Sequence, residues 1–268
     1  MTGGSETSRV AGLHPHRGAG PLLGFANLFR HEARPWLRFR LGGVQALLWT
    51  GLLGGGLLLP LVFLRELFAA ETAGPLASAF EMFFTLGAVG PAIGAVILAH
   101  GAVIGERQSG TAAWVLTKPA SRAAFLLAKF AAMALGLVAT AVVVPGAVAY
   151  VAVSAEAGAP AAVAPFAAGL ALLALHVVFY VALALTLGVF ARARGAVLAV
   201  GLGTVLAGDV LIGLVPAMGE VGPWLLGRLA LVVAQGGPLL TPWPPVAVAL
   251  GTVALLTAAV VRFGREEL

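Results

Sequence analysis

The chain is 268 residues long, 60% hydrophobic and only 10% charged, with a mean hydropathy of +1.01. A water-soluble domain of this length carries about 25% charged residues, so such a domain is excluded. The lack of cysteine excludes disulfide frameworks, thiolate metal sites and cysteine nucleophiles, and the net charge of +5 leaves nucleic acid and anionic lipid as partners until the placement of the charges is known.

Residues 1–20 are polar and hold no apolar run directly after the basic start, which a secretory signal requires; they are expected to form a disordered cytoplasmic tail. Over residues 21–40, Leu22, Phe25, Leu28, Phe29 and Trp36 alternate with Asn27, Arg30, His31, Glu32, Arg34 and Arg38. Such an amphipathic helix with a basic wet face lies in the membrane interface instead of crossing it.

Long uncharged intervals follow. Arg40 and Arg65 enclose 24 uncharged residues, Glu81 and Glu106 another 24, Lys129 and Glu156 enclose 26, and Glu156 and Arg192 enclose 35. Each exceeds the roughly 20 residues that a spanning helix needs. A fifth interval carries Asp209, and a sixth is interrupted early by Pro242, Pro244 and Pro245. The expected fold is an all-α integral membrane protein, one membrane domain over residues 21–268. Its six transmembrane helices fall at about 42–64, 82–104, 124–153, 166–190, 195–215 and 244–261. Residues 221–235 are apolar except for Arg228 and Gln235, with Glu220 at their edge, are bracketed by Pro223 and by Gly236, Gly237 and Pro238, and are too short to cross and return. They predict a short external helix on or dipping into the outer leaflet. No internal repeat is visible.

Six spans put both termini on one side. With that side in the cytoplasm, 14 of the 16 Lys and Arg residues are cytoplasmic and only Arg65 and Arg228 lie outside, while Glu66, Glu71, Glu81, Glu156 and Glu220 are all external. This satisfies the positive-inside rule and predicts a multi-pass inner (plasma) membrane protein with cytoplasmic N- and C-termini. Basic residues sorted by membrane side do not form one patch, so the lipid bilayer is the implied partner and nucleic acid is not.

Residues 105–129, GERQSGTAAWVLTKPASRAAFLLAK, hold the densest polar chemistry between two spans. The second span runs out at Gly105, with Glu106 and Arg107 just beyond. Gly110 supplies a turn that other residues resist, and residues 111–117 then predict a short helix presenting Trp114, Val115 and Leu116. Pro119 biases Lys118 away from helical geometry and ends that element. Ser121 is positioned to cap the third span, although Ala124 leaves the reciprocal capping box incomplete. The product is a short helix-turn held between two membrane helices.

The run E-R-Q-S-G-T at 106–111, L-T-K-P-A-S-R at 116–122 and F-L-L-A-K at 125–129 resembles the permeases of type-2 ABC transporters. In that family the equivalent loop, E-R-x-S-G-T followed by K-P-x-S-R, is the coupling element that docks into the nucleotide-binding subunit. The resemblance extends from Gly24 onward through the amphipathic elbow, the basic turn at 191–195 and the apolar segment before the last span. It implies a permease subunit of an ATP-driven transporter, by resemblance an exporter, dimeric with a second copy or a paralogue. It assigns the ATPase-coupling role to Glu106, Arg107, Ser109, Gly110, Thr111, Lys118, Pro119, Ser121 and Arg122. The chain carries no G-x-x-x-x-G-K-[ST] phosphate loop. No ATPase activity or cofactor is therefore expected of this chain, and ATP and Mg would be bound by a partner ATPase subunit.

Two residues are candidates for a substrate path. Asp209 is an ionisable group in an expected span, a functional candidate by default, and His176 lies within the fourth. Trp49, Trp224 and Trp243 suit an interfacial belt. The G-x-x-x-G pairs Gly51/Gly55, Gly90/Gly94 and Gly101/Gly105 are weak packing signals among 36 glycines, and Pro91 and Pro145 are expected to kink their spans. An ion- or proton-coupled secondary transporter is the alternative function, for which the chain offers one Asp and two His. An intramembrane enzyme would need a catalytic cluster, and neither an H-E-x-x-H motif nor paired carboxylates within a span are present.

Overall fold

In lipid every backbone N–H and C=O must be satisfied within its own segment or a neighbour's, so uncharged stretches of this length become helices. The computed structural model describes residues 20, 22–70, 74–108, 120–239 and 241–265. Among them are helices and turns and no strand, and the chain is an all-α integral membrane protein. The expected tail before residue 20 and the expected short helix at 111–117 lie outside the described residues.

The interfacial helix α1 (Phe25–Ala33) leads through a tight turn at Arg34–Leu37 into the first spanning helix α2 (Phe39–Phe63). The second span α3 (Gly74–Ala99) ends in a turn and the short helix α4 (Ile104–Gln108). The third and fourth spans are α5 (Arg122–Glu156) and α6 (Val163–Phe190). Then come α7 (Arg194–Leu206), α8 (Gly208–Leu214), the short α9 (Leu226–Ala234) and the last span α10 (Trp243–Gly264).

α6 is the centre. α3, α5, α7, α9 and α10 all pack on it, burying Leu173, Val177, Tyr180, Val181, Ala184 and Leu185. Half of the apolar stretch of α5 and of α6 is buried, against 28% for α2 and 22% for α10. The two peripheral helices therefore present Leu47, Leu48, Leu52, Leu250 and Val253 outward, as a surface solvated by acyl chains does. Near the start of α3, Phe80, Phe83, Phe84 and Phe166 form a ring cluster with centroids 5.4–6.4 Å apart.

Helices in lipid gain nothing from leaving water and associate through close packing, which favours glycine at the crossings. A Cβ at Gly169 would come within 2.7 Å of the Ala230 carbonyl oxygen, and one at Gly227 within 2.7 Å of the Ala88 Cβ. These two glycines seat α9 against α6 and α3. The segment expected on or dipping into the outer leaflet packs into the bundle, with Leu226, Ala230 and Ala234 buried. Trp49 is likewise buried, not in an interfacial belt: its indole donates to Gln45 at 2.8 Å and its ring packs against Gly90 and Gly94. That G-x-x-x-G pair makes a groove for an indole.

Several spans depart from regularity; α2 has wide turns at Phe39–Gly43 and, around Pro60, at Leu59–Phe63. Before Pro145 the Val144 amide reaches back to Ala139, a wide turn over Val138–Val143 that absorbs the donor missing at the proline. The fifth span, expected as one helix over 195–215, is instead the pair α7 and α8, bent by 57°. The cause lies twenty residues on. The Trp224 indole donates to the Thr204 carbonyl at 2.7 Å, the group that takes the Gly208 amide in an unbroken helix. Its ring fills the space that a side chain at 208 would need. A side chain inserted into the helical ladder is a recognised source of kinks.

Candidate functional site

The two ends of the bundle differ in charge. The basic end carries Arg122, Lys129, Arg194 and Arg262; the acidic end carries Arg65 paired with Glu156 and Asp209 paired with Arg228.

At the basic end the start of α5 organises the site. The Ser121 hydroxyl accepts the Ala124 amide at 2.9 Å, the N-cap expected from its type, while the Ser121 amide donates to the Leu23 carbonyl at 2.9 Å. Two turns further along, Lys129 lies with its side chain only 5% exposed. Its ammonium, with three donors, bonds the Glu32 carboxylate of α1 at 2.7 Å and the Glu106 carboxylate of α4 at 2.6 Å, and sits 5.4 Å from the Phe125 ring centroid. A buried ammonium is tolerated only when paired, and here two carboxylates pair it. The elbow gains a third attachment, since a side chain on Gly136 would overlap the Trp36 indole.

Other helices join the same end. The Arg122 guanidinium donates to the Gly264 carbonyl at 2.9 Å, a basic side chain on the last carbonyls of α10, and Phe125 stacks on Phe263 with centroids 5.7 Å apart. Arg194, at the start of α7, donates to the Gln108 side chain at 3.3 Å. Gly105 leaves room for that guanidinium, since a Cβ at this position would lie only 3.1 Å from Nη2. Charge and packing thus tie α1, α4, α5, α7 and α10 into one body.

Of the residues expected to couple to an ATPase, Glu106, Ser121 and Arg122 meet in this body, and Arg107 lies on α4. Ser109, Gly110, Thr111, Lys118 and Pro119 lie outside the described residues. Sequence reasoning missed Glu32 as a partner and assigned no contact to Lys129 or Arg194, which entered as charges that set topology and as parts of the runs that carry the resemblance. A signal for Lys129 existed: it falls inside the expected third span, where an ionisable residue calls for a partner.

At the acidic end two adjoining cavities open beside the bend of the fifth span. The larger, about 470 Å³, is bordered by Glu81, Thr85, Asp209, Trp224 and Arg228; the smaller, about 190 Å³, shares Asp209 and Trp224 and reaches His176 and Tyr180. His176, expected on a substrate path with Asp209, donates from Nδ1 to the Pro223 carbonyl at 3.0 Å and packs edge-on against Tyr180. Asp209 bonds Arg228 at 2.7 Å, both exposed. Among the described residues no group of three His, Asp or Glu is placed to hold a metal.

A family model described as ABC-2 family transporter protein matches residues 64–223, more than half of the chain, from the end of the first span to the start of the segment that carries α9. A search of curated proteins found no match.

Proposed function

The chain belongs to the ABC-2 family of transporter proteins, and on that premise we propose that it is the permease subunit of an ATP-driven exporter, working as a dimer with a second copy or a paralogue. In this reading the basic end faces the cytoplasm of the cell and residues 105–122 seat in a cleft of a separate ATPase subunit. That subunit binds ATP and Mg. Closure of the ATPase pair then pushes on α4, and the push is delivered to α1 and α5 together.

The observation that carries this reading is the Lys129 ammonium bonded to both Glu32 and Glu106. A surface loop that merely solvated two spans would need no such anchorage, whereas a lever requires it. The absence of a phosphate loop, with neither Lys118 nor Lys129 preceded by glycine, supports a partner as the source of hydrolysis. The Lys and Arg bias supports the orientation.

The test is co-purification of an ATPase with the full chain from native membranes, followed by ATP-dependent efflux from reconstituted vesicles. Replacing Glu106 and Arg122 together by alanine is expected to release the ATPase while leaving a folded membrane protein. Sustained transport by the purified chain with no ATPase present would overturn the proposal.

A further inference from the structure

We infer that the paired cavities at the acidic end, where Glu81, Asp209 and Trp224 meet the buried Tyr180 hydroxyl, form a binding site for an amphiphilic organic cation that carries a hydrogen-bonding group. Its part in transport rests on the permease reading; the binding itself does not.

Size comes first. Cavities of about 470 Å³ and 190 Å³ that share a wall match the space that drug-sized molecules occupy. The remaining lining includes apolar Ala88 and Val89 in both and Leu231 in the larger, which suits an amphiphilic solute.

The charges come next. Arg228 and Asp209 neutralise one another across 2.7 Å, and among the described residues Glu81 forms no ion pair. The larger cavity therefore has one exposed carboxylate in surplus, which favours a cation over an anion. Trp224 adds an aromatic surface held in place by its bond to the Thr204 carbonyl, and a cation is attracted to such a ring. An anion would meet the surplus carboxylate and gain nothing from the ring.

Tyr180 points to a ligand independently. It is fully buried and lines the smaller cavity, and the polar group that approaches its hydroxyl, the Trp224 indole, forms its geometric hydrogen bond elsewhere, which leaves the hydroxyl without one among the described residues. The Trp224 indole N–H that shares this cavity is committed to Thr204. Buried polar groups are nearly always paired, and the smaller cavity borders the residue that carries this one. A ligand whose cationic part rests between Glu81 and Trp224 while a polar arm reaches past Asp209 would satisfy both.

The experiment is equilibrium binding to the full chain in lipid nanodiscs, without any ATPase, using tetraphenylphosphonium and tetraphenylborate, which share a shape and differ in sign. The phosphonium is expected to bind at least about tenfold more tightly than the borate, and Glu81→Gln to weaken it about tenfold. Arg228→Gln is expected to tighten it, a gain that a misfolded variant cannot give. Asp209→Asn, which leaves the guanidinium unopposed, shifts preference toward the borate. A (4-hydroxyphenyl)triphenylphosphonium probe is expected to bind more tightly than the parent ion, and Tyr180→Phe to remove only that difference. Equal binding of the two ions, or phosphonium binding indifferent to Glu81 and Arg228, would overturn the site. Failure to recover an ATPase complex would overturn the permease reading and leave this result standing.

Discussion

The basic and acidic ends of the bundle are built from the same few charged residue types and use them in opposite ways. At the basic end the ammonium of Lys129 is 5% exposed and the carboxylates on either side of it come from two other helices. At the acidic end Asp209 and Arg228 are 83% and 67% exposed, and the space beside them is open. Buried pairs fix geometry because breaking them strands a charge, while exposed ones add little. One end is suited to carrying a displacement without deforming, the other to changing shape around an occupant.

The largest break in that contrast is expected from Lys129→Met. It leaves Glu32 and Glu106 side by side with no counter-ion between them, and the detergent-solubilised protein should lose about 3 kcal/mol of stability. Denaturant or thermal unfolding measures this, and the triple change with Glu32→Gln and Glu106→Gln should recover most of it. A loss that the triple change does not restore would mean that packing, not charge, holds this end together.

Gly136→Leu attacks the same end through sterics. The added side chain collides with Trp36, and overpacking of this kind costs about 1–3 kcal/mol. Faster proteolysis within residues 22–37 would report an unseated elbow.

At the acidic end, Trp224→Phe removes the indole donor to Thr204, a loss of about 1 kcal/mol, and lets the fifth span straighten. The chain has no cysteine, so Val200→Cys and Leu214→Cys, both at exposed positions, can be spin-labelled without background. Their separation should lengthen by about 2–3 Å on straightening; an unchanged distance would place the cause of the bend elsewhere. The smallest effect belongs to Arg65→Ala. Its bridge to Glu156 is formed at 2.7 Å with Arg65 57% exposed, and its loss should cost no more than about 0.5 kcal/mol.

What could be read from the sequence was set by distance along the chain. The spanning helices were legible because absence of charge is a local property, and the Ser121 cap because a cap joins residues three apart. The polar density at 105–129 was legible for the same reason. What escaped involved pairing at long range. Nothing near Lys129 names Glu32, which lies 97 residues away. Asp209 was visible as an oddity in a span, yet the bend beside it is made by Trp224. Trp49 and Trp224 read as interfacial because indoles usually are, and only the glycines opposite them, Gly90, Gly94 and Gly208, show what their rings pack against. Lys129, like Asp209, is a long-range feature with a local trace, since its place within a span demanded a partner even though it could not specify one.

The attachment of the elbow to the third span also sets an order of events during synthesis. Leu23, Glu32 and Trp36 leave the ribosome first, yet their partners Ser121, Lys129 and Gly136 follow about a hundred residues later. At ribosomal speeds of about 5–20 residues per second that interval lasts about 5–20 s, through the emergence of two complete spans. Until it ends, α1 is held by lipid alone, and its carboxylate waits at the bilayer surface for an ammonium not yet translated. Of the described elements the elbow is made first, and the third span decides where it goes.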